Sequence, residues 1–445
     1  MVYAMTDGNP MKQVFKFSVP VIIGLLLQQL YNLADTAIVG HTLGALALGG
    51  VGSTGSVVFL IIGFCNGLCS GMALPVARTF GAEDYKRLRI YVTNSVWVGA
   101  AVSLLLLAIV LPGCRGILKL MSTPAEQFDY AYVYLFIVFC GIPASIMYNL
   151  SAGILRALGD SKTPLVFLMC AAVINIGLDL LLIIVFGMGV AGAAVATVSA
   201  QLFSGLLCVL YMKKHYSILA MEKGDWGARP AVIRELLANG VPFGLQYSIT
   251  AIGSVMLQSA VNSLGAVYVS AQAIATKINM IVVSVYDGIG VGSANFTSQN
   301  LGAKKYKRIA EGSKACFNIG LVHWVITTAV ILIFREKLTL LFISPEEAAS
   351  IGRLVFLNSL CYIGLGPMLN IVSVLRPAIQ GMGYSSFSMI SGVMELIGRG
   401  AIGVIFIPMF GYIAACFASP LAWLLADIFL VWGYIRCYRK VSAEQ

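Results

Sequence analysis

The chain has 445 residues, of which 59% are hydrophobic and 11% are charged, with a mean hydropathy of +0.89. A soluble enzyme of this length needs more charge to cover its surface, so the composition excludes that class. The net charge of +10 lies mostly in short segments between apolar blocks, where it indicates membrane orientation rather than binding to nucleic acid. The protein is therefore expected to reside in a lipid bilayer.

The apolar blocks are each long enough to cross a bilayer core of roughly 30 Å. They predict an all-α membrane protein with twelve transmembrane helices, six in an N-terminal lobe (1–212) and six in a C-terminal lobe (237–445). Residues 213–236 are the longest polar stretch and are expected to link the lobes. The helices are expected at about 13–39, 46–78, 90–111, 126–154, 163–187, 190–212, 237–263, 267–300, 314–334, 348–376, 385–408 and 411–435.

The lysines and arginines divide unequally between the two sides of the membrane. With the N-terminus in the cytoplasm, 22 of them fall in inner segments and 4 in outer segments. Cytoplasmic loops carry the excess of basic residues in membrane proteins. This predicts a multi-pass protein of the bacterial inner membrane, with both termini and the linker in the cytoplasm.

The sequence repeats itself after 221 residues. Gly81–Arg87 (GAEDYKR) corresponds to Gly302–Arg308 (GAKKYKR), and Leu43–Ala45 corresponds to Leu264–Ala266. With six helices in each half, both halves enter the membrane from the same side, so the repeat is parallel. Such lobes are expected to enclose a central cleft that opens to alternate sides of the membrane.

Four charged residues of the second half are expected to form a charge network within apolar blocks. Glu395 and Arg399 lie four residues apart with the acid first, which is the favourable order for an ion pair on a helix. Lys277 and Asp287 lie on one predicted helix and are expected to pair across the cleft.

The first half has two carboxyl groups within apolar blocks, Asp35 and Asp179, and no basic residue there to pair with them. Such a group must face water, take up a proton or bind a cation. Asp35, Asp179 and Thr197 are all expected roughly 8–12 Å below the outer surface, at about 1.5 Å per residue. Asn175 lies one turn before Asp179. These hard oxygen ligands suit Na⁺ or a shared proton, and no other metal is expected.

Some polar and aromatic residues of the predicted cleft helices are candidates for substrate contact. Aromatic rings stack on planar cations, although packing within the lobes is an alternative role for them. The candidates are Tyr31, Asn32, Tyr247, Tyr286 and Tyr362.

The sequence lacks the motifs of an ATP-driven or catalytic protein. There is no GxxxxGK[ST] and no HExxH, and the three histidines are scattered. We expect no catalytic residue and no cofactor.

Several segments together resemble the MATE (multidrug and toxic compound extrusion) family along essentially the whole chain. The resemblance implies two six-helix lobes in a V and export of cationic, amphipathic small molecules in exchange for H⁺ or Na⁺. It also implies a first-lobe cation site at Asp35, Asn175, Asp179 and Thr197, and we expect a monomer. The matching segments are Leu33–Gly40, Leu155–Lys162, Asn175-x-x-x-Asp179, Gly192–Thr197 and Gln380–Gly383.

One branch of that family, the NorM branch, has a second cation site that this sequence lacks. The branch carries a Glu in helix seven, near where Thr250 lies here, and an Asp near helix ten, where 381–384 contains no acid. Alternative functions are a flippase for lipid-linked oligosaccharides of the same superfamily and a passive channel. A flippase is expected to line its cleft with several cations, and a channel does not require a parallel repeat.

Overall fold

The computed structural model describes residues 4–121, 123–340 and 345–443, and this part of the chain contains helices and no strand. Wide π-helical turns at Leu180–Val185 and Ile402–Phe406 interrupt two of the spans, and 3₁₀ turns form at Ser217–Leu219 and Lys223–Trp226. The α-helices are α1 (Pro10–Gly81), α2 (Tyr85–Leu120), α3 (Ala125–Cys140), α4 (Ile142–Ala157), α5 (Lys162–Asp179), α6 (Val190–His215), α7 (Pro230–Asn262), α8 (Ala266–Gly302), α9 (Tyr306–Leu340), α10 (Pro345–Gly364), α11 (Gly366–Gly381), α12 (Ser385–Ala401), α13 (Ile407–Phe410) and α14 (Tyr412–Ser442).

The described residues form twelve membrane spans, as predicted. Nine continuous helical stretches are long and apolar enough to cross a membrane, and the pairs α3–α4 and α10–α11 add one bent span each, with bends of 47° and 46°. The first of the nine, α1, has 72 residues and consists of two spans that meet at Gly44, where φ is 83°. A residue with a side chain would be strained at that φ, so glycine permits the sharp reversal between the two spans.

The backbone carries the same internal repeat as the sequence. The two π-helical turns begin 222 residues apart, at Leu180 and Ile402. Positive φ values, which are rare outside turns, recur at the same spacing. They occur at the pairs Gly44 and Gly265 (83° and 107°), Glu83 and Lys304 (58° and 57°), and Gly189 and Gly411 (60° and 61°).

Two compact units divide the chain at points inside α1 and α7. The first unit contains 23–248, and the second contains 5–22 and 249–445. The boundaries fall shortly after Pro20 and Pro242, where each helix lacks a backbone hydrogen-bond donor. The division of the chain by its repeat, at 213–236, remains a prediction.

Glycines in the repeated sequence allow close helix packing within each unit. In the first unit, a Cβ on Gly67 of α1 would lie 2.8 Å from the Cα of Gly244 in α7, and Gly71 meets Gly240 in the same way. In the second unit, the equivalent Gly288 of α8 packs directly against Ile22. Small residues at such spacing let membrane helices approach closely, which explains why this segment repeats.

The linker between the repeats is anchored to α2 within the first unit. Arg89 Nε donates to Asp225 Oδ2 at 2.8 Å, and Thr93 Oγ1 donates to the Asp225 carbonyl at 2.6 Å. The backbone N–H of Glu222 and the Arg89 guanidinium hold the pKa of Asp225 below its ordinary value. Asp225 therefore remains ionised at neutral pH and fixes the linker on the helix.

Candidate cation site in the first unit

The carboxyl groups of Asp35 and Asp179 lie side by side in the first unit, close enough to interact directly. Asp35 belongs to α1, and Asp179 is the last residue of α5. Asp179 is fully buried and Asp35 is half-buried. Two adjacent carboxylates without a compensating charge repel each other, so this pair has a strong tendency to bind a proton or a cation.

The two carboxyl groups have acceptor capacity to spare. Both oxygens of Asp179 and the Oδ1 of Asp35 have no hydrogen-bond partner among the described residues. No salt bridge of the described chain involves either residue. Tyr134 of α3 lies within electrostatic range of both acids. It could not be predicted from the sequence, because it is one of many aromatic residues in an apolar block.

Asn175 and Thr197 lie together beside this acid pair. Asn175 Nδ2 donates to Thr197 Oγ1 at 3.5 Å, and Thr197 Oγ1 in turn donates to the Ala193 carbonyl at 3.1 Å. Asn175 is buried, and its Oδ1 has no hydrogen-bond partner in the described part of the chain. The amide therefore presents an unused oxygen one helical turn from Asp179.

The π-helical turn begins directly after Asp179. The predicted helix at 163–187 was uninterrupted, but the α-helix ends at Asp179 and a π-helical turn occupies Leu180–Val185. The wider turn shifts the register of the following residues and leaves Asp179 at a helix junction. Single π-helical turns of this kind are frequent at functional sites.

Asn175 and Thr197, the two polar residues beside the acid pair, line a cavity in the first unit. It is enclosed by α1, α4, α5 and α6, and Tyr31, Asn175 and Thr197 form part of its wall. Its water-accessible volume is about 70 Å³, which holds a few water molecules. No lysine or arginine lines it. The cavity thus brings water to Asn175 and Thr197, whereas Asp35 and Asp179 do not line it.

The predicted substrate-contacting residues of the first unit fall in different environments. Tyr31 lines the cavity, whereas the neighbouring Asn32 is exposed and does not. Tyr247 of α7 is exposed and stacks on Phe243, with ring centroids 6.1 Å apart.

Tyr286, which was predicted as a candidate for substrate contact, is buried in the second unit. The residue is 1% exposed, and its hydroxyl donates to the Gly320 carbonyl at 3.4 Å in the core of the second unit. Tyr362 packs edge-on against Trp423, with ring centroids 4.7 Å apart. The structure thus supports packing, the alternative role, for these two tyrosines.

Glu395 of the second unit accepts hydrogen bonds from two arginines. Arg399 donates from Nη2 to Oε2 at 3.1 Å, so the predicted pair is confirmed. Arg376 of α11 donates to Oε1, and its Nε donates to Ser391 Oγ at 2.8 Å. The predicted helix ended at 376, which placed this arginine at the cytoplasmic end; α11 continues to Gly381, so Arg376 lies within the unit.

The predicted pair of Lys277 and Asp287 is wrong. Both residues are exposed, and no ion pair of the described chain joins them. They lie ten residues apart on the continuous helix α8, which separates them by about 15 Å.

Arg399 also occupies the neighbourhood of the missing NorM-type site. Its Nη1 donates to the Thr250 carbonyl at 3.5 Å, which places a guanidinium beside the position where the NorM branch has a glutamate. A positive charge there opposes cation binding. A cation site at Asp35, Asn175, Asp179 and Thr197 in the first unit remains a prediction.

Comparison with known proteins agrees with this architecture. A family model described as MatE matches residues 20–181 and 242–418. The probable multidrug resistance protein YpnP of Bacillus subtilis (strain 168) is 31% identical over 79% of this chain and 78% of its own length. The multidrug export protein MepA of Staphylococcus aureus (strain MW2) is 21% identical over 88% of this chain and 87% of its own. A solved outward-facing multidrug resistance MATE family transporter of the MOP superfamily superposes with a TM-score of 0.90 at 22% identity, covering 97% of each chain.

The fold defines an all-helical, multi-pass membrane protein built from two related sets of six spans. The chain belongs to the MatE family, and it is a transport protein rather than an enzyme.

Proposed function

We propose that the protein is a multidrug exporter that exchanges cationic, amphipathic compounds for H⁺ or Na⁺ by alternating access. The observation that carries this proposal is the pair Asp35 and Asp179, two adjacent carboxyl groups with no basic partner beside a polar cavity. The names of YpnP and MepA, which describe multidrug resistance and export, support the substrate class.

The acid pair couples the two fluxes because its negative charge is neutralised either by the coupling ion or by a cationic substrate. Asn175 Oδ1 and Thr197 Oγ1 supply further oxygens for a bound Na⁺, and a proton bridges the two carboxyl groups without them. Two ligands that compete for the same charge exclude each other, so binding of one favours release of the other.

Binding of an ion at the acid pair changes the shape of helix α1. Pro20 lacks a backbone donor, and Gly24 lies one turn later with only Leu165 and Leu168 side chains near its position. These residues provide a place at which α1 can bend when the charge on Asp35 changes. A bend there would change the cavity wall formed by Tyr31.

Expression in a drug-sensitive bacterial host should raise the tolerated concentration of ethidium several-fold and leave that of anionic drugs unchanged. The acid pair attracts cations, and no basic side chain lines the cavity to hold an anion. Tolerance is measured as the minimum inhibitory concentration, with Asp35→Asn expressed to the same level as the control. Protection against anionic compounds alone would refute the proposed substrate class and favour the flippase alternative.

We also propose that both termini and the linker face the cytoplasm, because basic residues are concentrated on that side. In a cysteine-free variant, single cysteines at Gly224 in the linker and at Ser263 between α7 and α8 should react from opposite sides of the membrane. Both positions are exposed. Reaction of both with an impermeant maleimide in intact cells would contradict this topology.

A further inference from the structure

Asp427 is the middle residue of α14 and is buried in the second unit. Its helix runs Tyr412–Ser442, so about 22 Å of helix lies on either side of it. The residue is 5% exposed, and Trp423 and Leu430 beside it are at most 2% exposed. This carboxyl group therefore lies deep in the apolar part of the unit.

Asp427 has no direct partner for either of its oxygens in the part of the chain that the structure describes. Arg376 of α11 lies within electrostatic range of it, but the guanidinium of Arg376 binds Glu395 of α12. Arg399 binds that same glutamate. These four residues form a cluster of two guanidinium groups and two carboxyl groups. Both guanidinium groups are bound to Glu395, and neither is bound to Asp427.

The surroundings of Asp427 offer few other charges. Its immediate environment comes from the helices that pack most extensively on α14, which are α10, α11 and α12. Asp287 of α8 lies within electrostatic range of both Arg376 and Tyr362, so it is a further acid at the edge of this cluster. The titratable and charged groups that α10, α11 and α12 bring to this region are Tyr362, Arg376, Glu395 and Arg399.

We propose that Asp427 is a proton-binding site inside the second unit and that, when ionised, it competes with Glu395 for Arg376. A buried carboxylate without a hydrogen-bond donor is costly, and uptake of a proton removes that cost. With Asp427 protonated, both arginines stay on Glu395 and the cluster carries one net positive charge. This inference does not depend on the proposed substrates.

Loss of the proton to water leaves the cluster neutral and gives Arg376 a second carboxylate to bind. If Arg376 moved from Glu395 to Asp427, an ion pair between α11 and α14 would replace the ion pair between α11 and α12. All three helices pack together, so a short side-chain movement is enough for this exchange. The second unit would thereby respond to pH separately from Asp35 and Asp179 in the first.

The test is pH-difference infrared spectroscopy of the full-length protein in lipid nanodiscs. The wild type should show a carbonyl band of a protonated carboxyl group in an apolar environment, and raising the pH should abolish it. Asp427→Asn should lack this band, and Asp427→Glu should shift it. Glu311→Gln, which removes an exposed carboxyl group of α9 in the same unit, is the matched control and should keep the band unchanged.

A spectrum of Asp427→Asn that retains every pH-dependent carbonyl band of the wild type would overturn the proposal. If Asp427→Asn does not fold, Asp427→Glu decides the matter, because an unshifted band in that variant would also overturn it. The readout is spectroscopic and involves no substrate. Failure of this test would therefore leave the proposed export function untouched, and failure of export would leave this proposal untouched.

Discussion

Replacing Glu395 with Gln should destabilise the protein by about 3–5 kcal/mol, the usual cost of removing one partner from a buried ion pair. Glu395 is 3% exposed, and it is the carboxylate that binds both Arg376 and Arg399. Its neutralisation removes the one carboxylate to which both buried guanidinium groups are hydrogen-bonded. The expected result is a midpoint of thermal unfolding several degrees below that of the wild type, measured on purified protein in detergent.

Arg399→Gln should cost less than Glu395→Gln, because Glu395 keeps its bond to Arg376. The double variant should lose less stability than the sum of the two single losses, since the removed partners were interacting with each other. Glu311→Gln is the control, because that carboxyl group of α9 is exposed and makes no ion pair in the described chain. If the loss of stability in the double variant equalled the sum of the two single losses, the interaction between Glu395 and Arg399 would contribute nothing to stability.

The general fold could be predicted from the sequence because membrane spans obey simple rules. Each apolar block must be long enough to cross the bilayer, and the described residues form the predicted twelve spans. The bends were not predictable in the same way. The breaks at Gly141 and Leu365 divide single apolar blocks, and hydropathy does not distinguish a bent span from a straight one.

The two units could not be predicted from the repeat alone. Sequence similarity groups residues by descent, whereas the units follow packing, and Ile22 packs on Gly288 of the second unit. The packing glycines were visible in the repeat, but nothing in a single sequence identifies which helix they contact.

The candidate site could be predicted in outline because carboxyl groups are rare in apolar blocks. Asp35 and Asp179 were found by charge and placed at the same depth, and the structure brings them together. Asp427 carried the same signal within Trp423–Leu430 and was missed. Arg376 was missed because the predicted helix ended at that residue, whereas α11 continues to Gly381 and buries it.

Replacing Asp35 with Asn should abolish coupling between export and the ion gradient while the protein stays folded. Asparagine has the shape of the protonated carboxyl group but cannot release a proton or supply a negative charge. Asp35 is half-buried and lies one helical turn after Tyr31, which lines the cavity. It makes no ion pair in the described part of the chain, so its loss removes no structural partner. We expect gradient-driven export to fall by at least about tenfold, which corresponds to an increase of about 1.4 kcal/mol or more in the barrier to coupled transport.

Matched variants separate coupling from general damage. Asp179→Asn should have the same effect as Asp35→Asn, because the two carboxyl groups act as one site. Asp129→Asn alters an exposed acid of the same unit and should transport at the wild-type rate. Binding of the fluorescent substrate to detergent-purified Asp35→Asn, measured by fluorescence anisotropy, shows whether the variant still recognises its substrate.

Transport of one fluorescent cation by purified protein in liposomes, under an imposed Na⁺ gradient and then under an imposed pH gradient, tests the central claim most directly. Wild-type protein should move the cation against its own gradient under at least one of these conditions, and Asp35→Asn should do so under neither. Gradient-driven transport by Asp35→Asn at the wild-type rate would show that the carboxyl group is structural and that the coupling site lies elsewhere.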